Sequence, residues 1–593
     1  MSDIKGSPGP KTYNVKYITD PTQDQLREIA LKSTPAIMKT AYGNLNKLTK
    51  NKARMAKYTY IIAPESEKNN YSGNVIDPDK AKKLIEIQKR YIEKQGEMIE
   101  INGYYGIGEA GQPVQWMYDK RCANVAAMQQ ILAFPRSHVE PPEKQKKPFN
   151  PGFRLVMTSG MEAEGMPGKQ AIIVDLEKWT TYVIWPDYFG ESKKGALRML
   201  NEHIYRSGGL VLHAGAKKVR VGDKTLTMGI MGLSGTGKTT TTFSKQGELT
   251  QPIQDDMIVL WPDGTCTITE NGCFAKTFGL TRESEPVIYD GTIHPEAWVE
   301  NVFPNPDGTF GFSKIHLTPE DVARLKDMLI ETGAPPENVD AFISGKVKIG
   351  DVVDEYDIPQ DGWDFTVWTQ NGRSIIPMKA IKGAASFDDI PRIRSMGILN
   401  RDEGPDAATP GIVRFPTSEH AAGYFMLGET SKTSAAGKER GKTRSPFTQP
   451  FFTSPFGLQA KRFSELAAKL EGLEMWLMNT GYIGGDQKDE ESSKALKVKI
   501  PHSSAMLEAM LKGEIKWKKD PDFGYEIVDV DAPENADLMR KVPKEILNPR
   551  IFYEAAGRTE EYENWVKKMK AERETFLNKF DVDQKIIDSV VNR

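Results

Sequence analysis

The sequence predicts a mixed α/β fold in two domains, and three observations lead there. The chain has 593 residues, more than one hydrophobic core ordinarily serves. Strand-like runs alternate with helical periodicities from Tyr58 to about residue 260, as mixed α/β layers require. Gly232-Leu233-Ser234-Gly235-Thr236-Gly237-Lys238-Thr239 fits the G-x-x-x-x-G-K-[ST] phosphate loop at every fixed position. Thr225 to Met231 reads as the buried strand before that loop, and Thr239 to Ser244 as the helix after it. A soft boundary near residue 212 divides an N-terminal, substrate-side domain (1–212) from a C-terminal, nucleotide-binding domain (213–593).

The elements follow in order. Asp20 to Leu48 carries helical spacing, with caps at Asp20 and Thr22. Tyr58 to Ala63 reads as a strand, Asp77 to Gln95 as an amphipathic helix, and Gly96 to Ile101 as the next strand. Tyr118 to Phe134 reads as a helix, and Pro141 to Pro151 as a surface loop with solvated lysines. Arg154 to Thr158, Gln170 to Asp175 and Thr181 to Trp185 are β-rich; Lys193 to Ser207 is helical; Gly209 to Ala214 is a strand. Gln251 to Leu260 leads to Asp263-Gly264, a hairpin signal. Residues 314–372 read as an inserted block opening on a capped helix, Thr318 to Thr332. Arg414 to Thr448 is rich in Gly, Ser, Thr and Lys; Phe463 to Leu473 and Ser503 to Gly513 are helical. Thr559 to Arg593 reads as a packed surface helix.

Composition excludes several function classes. Apolar residues at 39% and charged residues at 27% are ordinary globular values, so global disorder is excluded. A net charge of −2 leaves no basic excess for nucleic acid or a membrane surface. Three cysteines without a C-x-x-C pair argue against a disulfide framework and for a reducing compartment. No apolar run reaches 18 residues, and the first residues lack an apolar signal core. The expectation is a cytoplasmic chain acting on a small molecule, as a monomer or small homo-oligomer.

The chemistry centres on the phosphate loop. Glycines let consecutive N–H groups turn inward on an anion, and the helix N-terminus adds partial positive charge. Lys238 would reach the β- and γ-phosphates, and the Thr239 hydroxyl would hold Mg²⁺. Asp255 and Asp256 follow about 17 residues past Lys238, where an acidic element completes a phosphate-loop metal site. Adjacent aspartates repel unless a cation neutralises them, which favours metal over a plain turn. His213 ends a strand ahead of the loop, and Lys193-Lys194 follow Asp187-Tyr188-Phe189-Gly190-Glu191-Ser192. Alone, the first reads as a structural histidine and the second as a solvated helix start.

Taken together, the segments resemble the phosphoenolpyruvate carboxykinases, most closely the ATP-dependent branch. The family's W-Y-G-G-E-M-K-K-G is similar to Asp187–Gly195, its metal-binding histidine strand to Val211-Leu212-His213, and its loop to Gly232–Thr240. Its G-D-D resembles Gln254-Asp255-Asp256, its E-G-G-C-Y-A-K-T Glu270–Thr277, and its E-P-x-I-Y Glu285–Tyr289. Ala436–Thr443 resembles A-G-T-E-R-G-I-T, which packs on adenosine, and Asn479-Thr480-Gly481 and Val542–Arg550 match C-terminal family segments.

The resemblance implies a two-domain carboxykinase fold and conversion of oxaloacetate to phosphoenolpyruvate, CO₂ and ADP. It implies Mn²⁺ on Lys194, as the neutral amine, with His213 and Asp256; Asp255 belongs to the same carboxylate pair. It implies nucleotide contacts from Gly232, Leu233, Ser234, Gly235, Thr236, Gly237, Lys238, Thr239 and Thr240, joined by Glu285, Arg440 and Thr443. Ser234 would gate closure of the loop, and Lys276 and Arg373 would neutralise the transferring phosphoryl group and the substrate carboxylate. Arg440 favours ATP, while the loop leaves GTP and pyrophosphate open as donors. The N-terminal third departs from the pattern: the family's T-G-R-S-P-K-D-K has its nearest counterpart in Lys52–Tyr60, where Arg54 is the candidate substrate arginine. Two alternatives follow from that departure: a phosphotransferase acting on another small carboxylic acid, and a non-catalytic nucleotide-binding scaffold.

Overall fold

The computed structural model describes residues 8–9, 13–50, 56–107, 111–233, 236–243, 249–347, 371–388, 390–431, 441–448 and 451–593. Its contacts divide the chain into two units: Met1–His203 with Thr269–Lys382, and Ile204–Ile268 with Gly383–Arg593. The switch near residue 204 lies close to the predicted boundary. The segment 269–382, by contrast, joins the first unit rather than the one that carries the phosphate-loop strand. Its strands explain why, because they complete a sheet begun by residues 37–47.

Among the described residues the first unit contains two large sheets and a two-stranded one, Phe303–Pro304 with Phe310–Gly311. The larger has eight strands in the order Lys16–Thr19, Glu97–Tyr105, Gln112–Tyr118, Phe153–Thr158, Thr180–Ile184, Ala171–Asp175, Thr59–Ile62, Asn74–Ile76. Phe153–Thr158 and Ala171–Asp175 are buried throughout, which is why they read as continuous β-rich runs rather than alternations. Asp77 caps the helix Pro78–Gln95 through the amides of Asp79 and Lys80, and Gly96 at φ 74° ends it. The smaller sheet runs Gly272–Lys276, Arg373–Pro377, Trp298–Glu300, Leu45–Lys47, Ile37–Lys39. Leu45–Lys47 lies parallel to Trp298–Glu300, so strands some 250 residues apart in the chain are hydrogen-bonded neighbours.

The second unit is built on an eight-stranded sheet ordered Leu249–Gln254, Ala214–Val221, Lys224–Gly232, Ile393–Asn400, Glu474–Asn479, Ile412–Arg414, Glu526–Val528, Trp517–Lys519. A three-stranded sheet adds Leu210–Leu212, Ile258–Leu260 and Cys266–Ile268. The last two form the Asp263-Gly264 hairpin, with Gly264 at φ 82°.

Several predicted elements take another form. The helix after Asp20 spans only Gln23–Ser33, capped by Thr22. Pro35 then disfavours helical geometry at Thr34, and two strands, Ile37–Lys39 and Leu45–Lys47, replace the rest. Tyr118 closes a strand, and the helix begins only at Ala123. Thr318 caps its helix as expected, but Leu325 divides it into Pro319–Arg324 and Lys326–Glu331. Their apolar faces join Leu48, Val339 and Phe342 in one core cluster, so the described part of the 314–372 block is integral to the first unit. Ser418–Leu427 is a helix buried at every position from His420, which erases the 3.6-residue pattern. The C-terminal stretch forms two helices, Thr559–Leu577 and Gln584–Val591. No helix among the described residues is long and apolar enough to cross a membrane.

Candidate active site

In the second unit the strand Lys224–Gly232 runs parallel to Ile393–Asn400, which runs parallel to Glu474–Asn479. Three neighbouring strands therefore end together, at the edge where open α/β sheets bind ligands. A side chain at Gly232 would place its Cβ 2.4 Å from the Thr236 hydroxyl, so the turn requires glycine. Gly237 stands at φ 90°, again a glycine conformation. The Thr236 hydroxyl donates to the Leu233 carbonyl at 2.8 Å. Thr480 donates from the neighbouring strand end to the Thr236 carbonyl, also at 2.8 Å. Lys238–Phe243 then forms the helix, with Thr239 and Thr240 half-buried in its first turn. Ser234 and Gly235 lie outside the described residues.

Three predicted residues meet at this edge. One oxygen of Asp256 lies 3.0 Å from His213 Nε2 and 3.3 Å from Lys238 Nζ. His213 Nδ1 stands 3.1 Å from the Phe447 carbonyl. A carbonyl only accepts, so Nδ1 carries the hydrogen and Nε2 is turned to the carboxylate. That is how metal-binding histidines are held, with one ring nitrogen spent on the backbone. The pair suits a divalent cation in donor chemistry, and a third protein ligand remains to be supplied. Among the described residues no three His, Cys, Asp or Glu side chains gather. Asp255 is buried beside Asp256. Beneath the helix, Lys217 donates to the Thr241 carbonyl, and burial pulls its amine down to about 7.

Thr443 pairs with Thr430 in a short hairpin. Its neighbour Lys442 forms a buried ion pair with Asp402, which also accepts from Asn400 Nδ2 at 2.7 Å and from the Thr409 amide at 2.9 Å. The hairpin is thus tied to the end of the strand Ile393–Asn400. Arg440 lies outside the described residues.

The first unit carries its own charged constellation. Lys276 is in register with Arg373, Arg373 with Glu300, and Glu300 with Lys47. Register partners stand on one face, so four ionisable side chains form a row across four strands. Arg373 lies 5.6 Å from the Phe274 ring centroid, and Lys193 reaches the same ring at 4.9 Å. Burial, and then repulsion from Arg373, lower the Lys276 amine from its usual range. Among the described residues neither Lys276 nor Arg373 has a carboxylate within ion-pairing distance. Two neighbouring cations with no ion-pair partner among the described residues set up a positive local field, which favours an anion. Lys194 is buried on the helix Phe189–Arg206, which starts four residues before its sequence expectation. Its neighbour Lys193 pairs with Glu270 at 3.0 Å, both fully buried. Glu285 is the residue before the helix Pro286–Thr292. Arg54 lies outside the described residues.

Sequence reasoning did not single out Glu300, Lys47 or Asp402, and it placed Lys442 and Thr480 in family-like segments without a role. For Glu300 a signal existed: a charged residue closing a short apolar strand, Trp298-Val299-Glu300, is costly to bury without a purpose.

The family model for phosphoenolpyruvate carboxykinase matches residues 15–327 and 349–534. A protein named phosphoenolpyruvate carboxykinase (ATP) from Bacillus cytotoxicus is 27% identical over 546 residues, 88% of each chain. One of the same name from Caldanaerobacter subterraneus is 27% identical over 498 residues, 82% of this chain and 80% of the relative. Another from Thermus thermophilus is 27% identical over 415 residues, 68% of this chain and 64% of the relative. The matched stretches carry the loop strand, the His213–Asp256 pair and the Lys276–Arg373 row alike, and on that extent the chain belongs to the phosphoenolpyruvate carboxykinase family.

Proposed function

We propose that the chain is an ATP-dependent phosphoenolpyruvate carboxykinase, and that its site residues act as the family resemblance implies. The observation that carries the reading is the meeting of Lys238, His213 and Asp256 on one oxygen at the phosphate-loop edge. A generic phosphate loop has no need of that histidine. Oxaloacetate loses its C4 carboxylate as CO₂, and the bonding pair remains as an enolate. The enolate oxygen then bonds to the γ-phosphorus of ATP as the bond to the β-phosphate oxygen breaks, leaving ADP.

Lys238 and the loop amides hold the nucleotide phosphates, and Thr239 would hold Mg²⁺. His213, Asp256 and Lys194 would hold Mn²⁺, with Asp255 reinforcing the negative field. When bound, these ions supply Lewis-acid stabilisation of enolate and phosphate charge. Lys276 and Arg373 take the substrate's anionic groups and gather charge that builds during transfer. An anion beside Lys276 offsets the burial and the repulsion from Arg373 that lower its amine.

Purified protein given ATP, Mn²⁺ and oxaloacetate should release CO₂ and form phosphoenolpyruvate, with GTP and pyrophosphate as comparison donors. Lys238→Ala should lower kcat by about 10³-fold, the scale of losing a transition-state cation. Folded protein that turns over oxaloacetate with no donor would refute the proposal. Transfer to a different small acid with oxaloacetate inert would redirect it.

A further inference from the structure

The charged row in the first unit divides into two halves with different partners. Among the described residues Lys276 and Arg373 form no ion pair with a carboxylate. Glu300 and Lys47 are instead spent on the start of the helix Phe189–Arg206. Glu300 is fully buried and accepts the Phe189 amide at 2.9 Å, one of four first-turn donors that a helix cannot satisfy internally. Lys47, 1% exposed, pairs at 3.0 Å with Asp187, two residues before the helix. The Phe189 ring meets Phe274 edge-on at 5.4 Å, and Phe274 is the ring that Lys193 and Arg373 both approach. The helix of Lys193 and Lys194 is thus fastened to the sheet that carries Arg373, through three of its other strands, by one hydrogen bond to a backbone amide, one ion pair and one aromatic contact.

The other Glu300 oxygen is buried without a partner. That is costly for a residue whose only purpose is stability. Arg373 and Lys47 flank Glu300 in register, yet it does not close a salt bridge with either. It spends its acceptor on the helix and leaves the Arg373 guanidinium available.

We propose that Glu300 is a positioning residue. By taking the first amide of the lysine helix, it sets that helix against the Lys276–Arg373 pair and so sets the geometry in which the pair receives a small dicarboxylate. The assignment rests on the proposed carboxykinase reading for the identity of the anion, but not for the clamp itself. Burial pushes the Glu300 carboxyl up to about 8, so near neutrality a glutamine matches it in both shape and charge and still accepts the amide.

The test uses the full chain and two readouts that need no turnover: hydrogen exchange of the peptide spanning residues 187–195, and oxalate binding by calorimetry. Glu300→Ala should speed exchange in that peptide at least tenfold and weaken oxalate at least fivefold, with ATP affinity unchanged. Glu300→Gln should restore both to within about twofold of the parent. If Glu300→Ala does not fold, Glu300→Asp decides by the same readouts, because a side chain one methylene shorter loses the amide and should show the alanine pattern. Unchanged exchange and oxalate affinity in the truncated variant, a glutamine variant as damaged as the truncation, or a parent chain that binds no oxalate would each overturn the assignment. Absence of turnover in the parent bears on the carboxykinase reading alone.

Discussion

At pH 7 the buried amine of Lys217 stands near half-protonation, beneath a helix that the proposed nucleotide must grip. Its folded value of about 7 lies below the ordinary 10.5, and the sign of the effect follows. Between those values the unfolded chain binds the extra proton, so stability rises with pH across that window. Below pH 7 the burial cost is fully present. Lys217→Met should therefore stabilise the chain at pH 6, and the gain should shrink by about 2–3 kcal/mol at pH 9. Urea midpoints at the two pH values check this; an equal gain at both would show that the amine does not titrate in the fold. His213 makes the complementary point. Its strand-end position was visible in the sequence, but its purpose was not, because that depends on the Phe447 carbonyl 234 residues away.

Elements show which signals survive without coordinates. Thr22 and Thr318 cap helices as read, because a cap is a local bond between neighbours in sequence, whereas Asp20, also read as a cap, instead accepts the distant Asn102 amide at 2.7 Å. The phosphate-loop strand and the Asp263-Gly264 hairpin were legible for the same reason. The helix Ser418–Leu427 was not, since burial on every side removes the polar face that marks a helix. The charged row was also hidden: each member sits on a different strand, and only sheet register brings them abreast. The C-terminal helix Thr559–Leu577 is pinned by a further non-local device. Arg573 grips both oxygens of Glu429, at 2.7 and 3.2 Å, and Arg444 adds a third bond at 2.7 Å. Burial alone would raise the Glu429 carboxyl, but Arg573 and Arg444 hold it well below its usual 4.5. Glu429→Gln leaves the buried Arg573 without its carboxylate, while Arg444 keeps Glu572 at 2.9 Å, and should cost about 3–5 kcal/mol. A carboxylate held low contributes above its unfolded value and loses that contribution as pH falls, so the gap to the parent should narrow below about pH 4. Thermal melts between pH 3 and pH 7 check this; a gap independent of pH would mean the pair carries no net charge interaction.

At the scale of the whole molecule, the phosphate-loop strand and the Lys276–Arg373 pair belong to different units, so the proposed phosphate and carboxylate sites should behave separately. Hydrogen exchange should therefore separate them. ATP should protect the peptides around Thr225–Met231, Lys238–Phe243 and Thr480, whereas oxalate should protect Gly272–Lys276 and Arg373–Pro377. Lys238→Ala should abolish the first pattern and spare the second; loss of both would mean that the two sites are not independent. The two-domain character was readable from length and texture, but the true partition was not, because no local feature announces that residues 269–382 complete a sheet begun before residue 48. That partition bears on how the protein is made. A ribosome releases the hairpin of residues 37–47 early, but the strand it must lie beside, Trp298–Glu300, emerges some 250 residues later, and the row closes only when Arg373 follows. Throughout that interval the nascent chain holds Lys47 and its apolar neighbours with nothing to join, so premature termination before residue 298 should yield a fragment that chaperones retain rather than a half-enzyme that folds.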